Sequence, residues 1–324
     1  MRFYATIHKI SLGDTVDETE IKYILSRKGI DDEFGGNASP ILPDGTMISI
    51  PIPGSRPEMK YDALQLPQTV IHTLRDNGIE INSYNELMAQ LEIFPKLKKN
   101  PIETCHLDPD LRIETWPNRD NNWRGIFGQD SRALSHLYKQ NVRIGDIFLF
   151  FGTFRHTKIT DGKIDFVGSR LHVIFGYLKI NDIISDTTKW CPKWIINSNF
   201  EPWMSYHDHA QPELRNKKKN CIFAARYQKP LDVGLKDYGV FKFDKRLVLT
   251  REDQGNKSYW RQELFADKQG QFNPGFRISW HGENFKGKLI DGAFHSTGKG
   301  QEFVISPGQR FRQYVNSLWS LVTE

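Results

Sequence analysis

In the stretch CHLDPDL, His106, Asp108 and Asp110 occupy alternate positions. Alternate side chains of an extended segment share a face, so the three could converge on a metal or on a proton-transfer site. A hydrogen-bonded Asx turn, stiffened by Pro109, would explain the same residues without chemistry. In YHDHAQPE, His207 and His209 share a face in the same way and suit zinc or iron. Two ligands are too few, so a divalent metal here would need a third from Asp108, Asp110 or His281. In SWHGE, Trp280 and His281 suit stacking and hydrogen bonding of a base, or a buried packing pair.

The stretch LSRKGIDDEFGGNASPILPDGTMISIPIP, Leu25 to Pro53, concentrates unusual local chemistry. Arg27 offers a two-pronged contact to phosphate and Lys28 a point charge. Gly35 and Gly36 let the backbone turn tightly and present N–H groups to an anion. The competing reading pairs Arg27 and Lys28 with Asp31 and Asp32 to fix a turn. It is not a P-loop, because the G-x-x-x-x-G-K-[ST] spacing is absent.

Several reaction classes lose ground. Cys105 adjoins His106, but neighbours on an extended chain point apart, which disfavours a Cys–His dyad. There is no G-x-S-x-G elbow, no Rossmann G-x-G-x-x-G after a strand and no deaminase H-x-E…P-C-x-x-C signature.

The elements that must position these residues read mostly as strands. IKYILS (21–26), DIFLFFGTF (146–154), LHVIFGYLKI (171–180), CIFAARY (221–227) and GVFKFDKRLVL (239–249) are rich in β-branched and aromatic residues and bounded by Gly, Asp, Asn or Pro. Helices are fewer. SYNELMAQLEIF begins with a Ser83–Glu86 capping box. DSRALSHLYKQNV (130–142) places Ala133, Leu134, Leu137 and Val142 near one face. At the C-terminus the reading takes Ser306 as cap and Pro307 as first helical residue, with Phe311, Val315, Leu318, Trp319 and Val322 as a docking stripe over 306–323. Strands outnumber helices without regular alternation, so the expected class is α+β, a strand-rich core with flanking helices. The pattern from Leu137 to Ile184 also suggests a PUA-like or EVE-like β-barrel, a type that often holds a nucleobase.

The chain of 324 residues is expected to form a single domain, 1–324, with residues 1–20 as an extension. Its net charge of +5 fits a reader of one nucleotide better than a long groove on duplex DNA. The one dense basic run, RNKKKN (Arg215–Asn220), reads as a solvated loop ahead of a phosphate contact. Cys105, Cys191 and Cys221 are isolated, which excludes a disulfide framework and a zinc ribbon. No run of about 18 apolar residues and no apolar stretch behind Arg2 point to a membrane or a signal peptide, so the expectation is a cytoplasmic protein.

The words SRKGID…GG…SPI…DG…IPIP, HLDPD, FGQ, GDIFLFFGTF, LHVIFGY, YHDH, SYW, SWHG and GQEFV, in this order, resemble the nucleotide modification associated domain family of the third type. The resemblance covers about Ile21 to Ile305. It implies a protein of base-modification systems in phages and bacteria that acts on or recognises nucleobases in DNA, with other enzymes of such a system as partners, and it leaves the reaction open. It places the family's polar motif residues on Arg27, Lys28, Asp31, His106, Asp108, Asp110, Gln129, His172, His207, His209, His281, Gln301 and Glu302. YHDH stands where the family pattern has His-Pro-His, which keeps the histidine spacing and loses the rigidity of proline.

Together these readings make Asp31, His106, Asp108 and Asp110 the candidate catalytic groups. Arg27, Lys28, Gly35, Gly36, Gln129, His172, Trp280 and His281 are the candidates for binding a nucleotide or base. His207 and His209 are the candidates for a divalent metal. An enzyme of base modification leads. A non-catalytic reader, stacking a base on Trp280, and a metal-dependent nuclease built on Asp31, Asp108 and Asp110 are the alternatives.

Overall fold

The computed structural model describes residues 21–323 apart from 55–58, 95, 98–99, 102, 118, 186–190, 193, 196–206, 211–218, 229–233, 252–254, 268, 270, 273, 281–287, 291–292 and 297–301. The 1–20 extension, Arg215–Lys218 of the basic run, His281 and Gln301 therefore lie outside the described residues, as does the side chain of Trp280.

A seven-stranded mixed sheet organises the fold. Its path runs Tyr238–Val240, Lys163–Lys179, Ile147–Thr160, Tyr23–Arg27, Glu302–Ser306, Arg277–Trp280, and Ser39–Ile41 adds to the far half of Ile147–Thr160. Tyr23–Arg27 and Ser39–Ile41 run parallel to Ile147–Thr160, and the other pairings are antiparallel. The run IFLFFGTF is apolar without alternation because both of its faces are covered, and all eight residues from Ile147 to Phe154 are buried. Phe148 and Phe150 pack against Phe127 and Phe223 on one side. Phe151 packs against Trp260 and Phe303 on the other, where the helix Gln309–Leu318 contributes Phe311, Val315 and Leu318.

Phe127 and Phe223 belong to a smaller antiparallel sheet, ordered Asp182–Ile184, Asn220–Ala224, Ile126–Asp130. Period-two alternation sends their neighbours Ile126, Ile222 and Ala224 into a second core with the helices Gln68–Arg75 and Tyr84–Gln90. The sheet thus divides two hydrophobic cores. This is an α+β protein, as its pattern indicates, and its main sheet stays open, with no closed barrel among the described residues.

The Ser83 capping box forms: Glu86 N–H donates to Ser83 Oγ at 3.2 Å and Ser83 N–H to the Glu86 carboxylate at 2.9 Å. Two boundaries differ from the reading. The strands expected at 146–154 and 171–180 are one long hairpin, closed by Asp161 (φ +50°) and Gly162 (φ +71°), the two left-handed residues that a tight two-residue turn requires. The C-terminal helix starts at Gln309 with Gly308 as cap, because Ser306 is held in the sheet opposite Arg277. No described helix is long and apolar enough to cross a membrane.

Candidate active site

The strand Tyr23–Arg27 and the two residues around its end set the geometry. Ser26 and Lys28 project from one face of the main sheet and Arg27 from the other, as the strand period demands. The consecutive cations of SRK therefore serve two different clusters.

On the Arg27 side, Arg27 pairs with Asp31. Asp31 also organises its own loop: its Oδ1 accepts from the N–H groups of Glu33 (2.8 Å) and Phe34 (2.7 Å), and its carbonyl accepts from Gly36 N–H at 2.7 Å. Gly35 (φ +95°) and Gly36 (φ +73°) close this turn, and a Cβ on Gly35 would press on Ile30. Of the two glycine N–H groups considered for phosphate, that of Gly36 thus turns inward onto Asp31. Asp32, further out, pairs with Arg170 and Lys257. His172 is buried beneath, its Nδ1 accepting from Trp260 Nε1–H at 2.9 Å. Burial, with the Arg27 and Lys257 charges adding to it, holds His172 well below the usual histidine range.

On the Lys28 side, Lys28 Nζ stands 4.5 Å over the Phe127 ring and 3.4 Å from Glu302 Oε1. Glu302 is fully buried, and the same oxygen accepts from Ser26 Oγ at 3.2 Å and Gln129 Nε2 at 2.5 Å. Gln129 Oε1 in turn accepts from Asp130 N–H at 3.0 Å, which settles the amide's orientation.

Beside this group lies Asp108, almost fully buried, with three imidazoles around it. Its Oδ1 accepts from Gly128 N–H at 2.9 Å and lies 3.5 Å from His207 Nε2. Its Oδ2 faces His106 Nε2 at 4.0 Å and His209 Nε2 at 3.9 Å. Burial raises the Asp108 carboxyl above its usual range, against His209, Lys28 and His106, which pull it down. His209 is held down to about 4 by burial, the Asp108 charge acting in the opposite direction. His106 is the outermost of the set, at about a quarter exposed.

Each member is placed by a local device. His106 ends a two-residue strand paired with Ile52–Pro53. His207 precedes the turn Asp208–Ala210 and His209 sits within it, where Ala210 N–H returns to the His207 carbonyl at 2.9 Å and His209 N–H reaches His207 Nδ1 at 3.3 Å. Asn220 bonds His209 twice, Oδ1 to ring Nδ1 at 2.6 Å and Nδ2 to the carbonyl at 2.7 Å. In FGQ, Phe127 carries Lys28, Gln129 holds Glu302, and Gly128 is bare because a Cβ would land on the His209 ring.

Asp110 feels the His207 and Asp108 charges but takes its main partner from elsewhere. It forms a two-pronged ion pair with Arg119, at 2.5 and 2.9 Å, both side chains about 1% exposed, and its backbone exchanges hydrogen bonds with Ile126. Burial raises its carboxyl and Arg119 opposes that. Asp31 thus lies in a different cluster from Asp108, while Asp110, near enough to feel the Asp108 charge, has Arg119 as its main partner.

A cavity of about 30 Å³ borders Asp108, Pro109, Asp110, Ser49 and Tyr84 behind the HLDPD loop. A larger one, about 470 Å³, opens at the other end of the Tyr23–Arg27 strand, lined by Tyr23, Tyr177, Trp319 and Arg312, and holds none of the clustered groups. The chemistry, not the larger volume, marks the candidate site. Gly128, Asn220 and the pairing of His106 with His209 carried no signal in the reading, except that FGQ was one of the words of the resemblance.

No curated protein and no solved structure matches the chain. A family model described as nucleotide modification associated domain 3 matches residues 22–306, a span that holds Lys28, His106, Asp108, Gln129, His207, His209, Asn220 and Glu302. Every group gathered about Asp108 lies within that span, and the chain belongs to the nucleotide modification associated domain 3 family.

Proposed function

We propose that the protein is an enzyme of nucleotide modification that acts on a nucleotide or on a base in DNA, with its reaction centre at Asp108. The observation that supports this is the gathering of His106, His207 and His209, with Lys28 close by, around one buried carboxylate. Burying polar and charged groups opposes folding unless they are well paired, so a concentration of them drawn from separate stretches has a use beyond the fold. Asp108 is aimed by Gly128 N–H and His209 by Asn220, while His106, about a quarter exposed, is the member of the set that solvent reaches. Lys28 supplies a positive charge for an anionic substrate group. The setting is a base-modification system of phages or bacteria, inside the cell. Cys105, Cys191 and Cys221 form no disulfide, which fits a reducing compartment.

The test is incubation of the full chain with nucleoside triphosphates and with plain and modified DNA, followed by mass spectrometry of the products. A base or nucleotide of altered mass is expected. Asp108→Asn should abolish it while keeping nucleotide affinity within about tenfold. A wild-type protein that binds a modified base with no turnover, and whose binding survives Asp108→Asn unchanged, would make it a reader instead.

A further inference from the structure

The tautomers around Asp108 carry the site one step further. Asn220 Nδ2 donates to the His209 carbonyl at 2.7 Å, which fixes the amide so that Oδ1 faces His209 Nδ1 at 2.6 Å. An amide oxygen only accepts, so the neutral ring carries its proton on Nδ1 and leaves the Nε2 lone pair toward Asp108 Oδ2. His207 has the opposite arrangement. Its Nδ1 accepts from His209 N–H at 3.3 Å, so its proton sits on Nε2, beside Asp108 Oδ1. Oδ1 then accepts from Gly128 N–H and has His207 Nε2 3.5 Å away, while Oδ2 faces the ring nitrogens of His106 and His209. The ligand atoms of His106, Asp108 and His209 all lie within 4.8 Å of one another.

We propose that His106 Nε2, Asp108 Oδ2 and His209 Nε2 form a two-histidine, one-carboxylate centre for a divalent first-row transition ion such as iron(II) or zinc(II). This assignment rests on the reading of Asp108 as the reaction centre and gives that centre its cofactor. Ligand atoms about 2.0–2.2 Å from such an ion stand roughly 3 to 3.5 Å apart, so binding shortens the 4.0 and 3.9 Å separations of Asp108 Oδ2 from His106 and His209 by roughly 0.5–1 Å. Two imidazoles favour a transition ion over magnesium or calcium, which take oxygen ligands. Three protein ligands leave positions open for water or substrate on the His106 side. Asn220 is a positioning residue, of the kind that orients a ligating histidine through its other nitrogen. His207, with Nε2 3.5 Å from the other carboxylate oxygen, stays outside the ligand set. The choice of His106 over His207 as partner of His209 is what separates this centre from the pair that the YHDH spacing alone suggests.

The experiment is chelator treatment of the full chain, titration with Co²⁺, and optical spectroscopy with metal analysis by mass spectrometry. One Co²⁺ per chain with d–d absorption is expected, displaced by Zn²⁺ and untouched by excess Mg²⁺. His106→Ala, Asp108→Ala and His209→Ala should each abolish it, with folding checked by circular dichroism. Asn220→Ala should weaken it by about 10–100-fold, and His207→Ala should keep it within about tenfold. A folded protein that binds no Co²⁺, or binding lost as fully with His207→Ala as with His209→Ala, would overturn the assignment. Metal bound without any nucleotide product would leave the centre standing and remove the proposed activity. Product formed by the metal-free protein would do the reverse.

Discussion

Asn220 Oδ1 lies 2.6 Å from His209 Nδ1, and the same side chain returns 2.7 Å to the His209 carbonyl. One asparagine on the central strand of the small sheet thereby fixes the position, ring orientation and proton of a histidine eleven residues earlier. Asn220→Ala leaves two buried groups of His209 without their partner. Its expected effect is a loss of about 1–3 kcal/mol in urea unfolding. A change below about 0.5 kcal/mol would mean that the turn carrying His209 is held by something else.

Gly128 faces that histidine from the other side, and a Cβ there would meet its ring. Gly128→Ala should destabilise the protein by about 1–3 kcal/mol through overpacking. In Gly128→Ala/His209→Ala the obstruction is gone, so the double variant should be more stable than the sum of the single effects predicts. Strict additivity would remove the contact from the explanation of the FGQ word.

The Asp110–Arg119 pair is buried on both sides and borders the Asp108 cluster. Arg119→Ala strands a buried carboxylate, and the expected destabilisation is about 3–5 kcal/mol. Chemical denaturation measures it. A variant of normal stability that fails only in turnover would give Asp110 a catalytic part that its geometry does not indicate.

His172 predicts a pH effect with a definite sign. Its folded pKa is lowered well below 6.5 by burial, with Arg27 and Lys257 adding to the shift. A depressed histidine contributes stability that is present above about pH 6.5 and lost as pH falls, because the unfolded chain takes up a proton that the folded ring refuses. Below about pH 6.5 the contribution falls by up to about 1.4 kcal/mol per pH unit. His172→Gln should flatten the stability profile below about pH 6.5 by up to one proton. An unchanged slope would mean that His172 titrates normally in the folded protein.

Local features were legible in the sequence because their causes are local. The Ser83–Glu86 box needs only three residues of separation, and the buried stripe of Phe311, Val315 and Leu318 follows from helical period. The opposite facing of Arg27 and Lys28 follows from the two-residue period of a strand, yet the functional reading grouped them because they adjoin. The Asp161–Gly162 turn was equally legible as an Asp-Gly hairpin signal, and the reading missed it by ending one strand at 154 and beginning the next at 171. By itself the sequence determined the α+β class, the capped helix, the strand alternation and the residue types able to do chemistry.

Only the tertiary structure decided which of those residues meet. Glu302 joins Ser26 across 276 residues and Gln129 across 173, and no local spacing encodes such contacts. Asp108 and Asp110 look equivalent in HLDPD, but one faces histidines from a distant turn and the other faces Arg119, because different elements pack against each. His209 found His106 and Asn220 through the pairing of Asn220–Ala224 with Ile126–Asp130. Short-range backbone preferences select elements, whereas the burial of both sides of two sheets selects their neighbours, and the candidate site is made of neighbours.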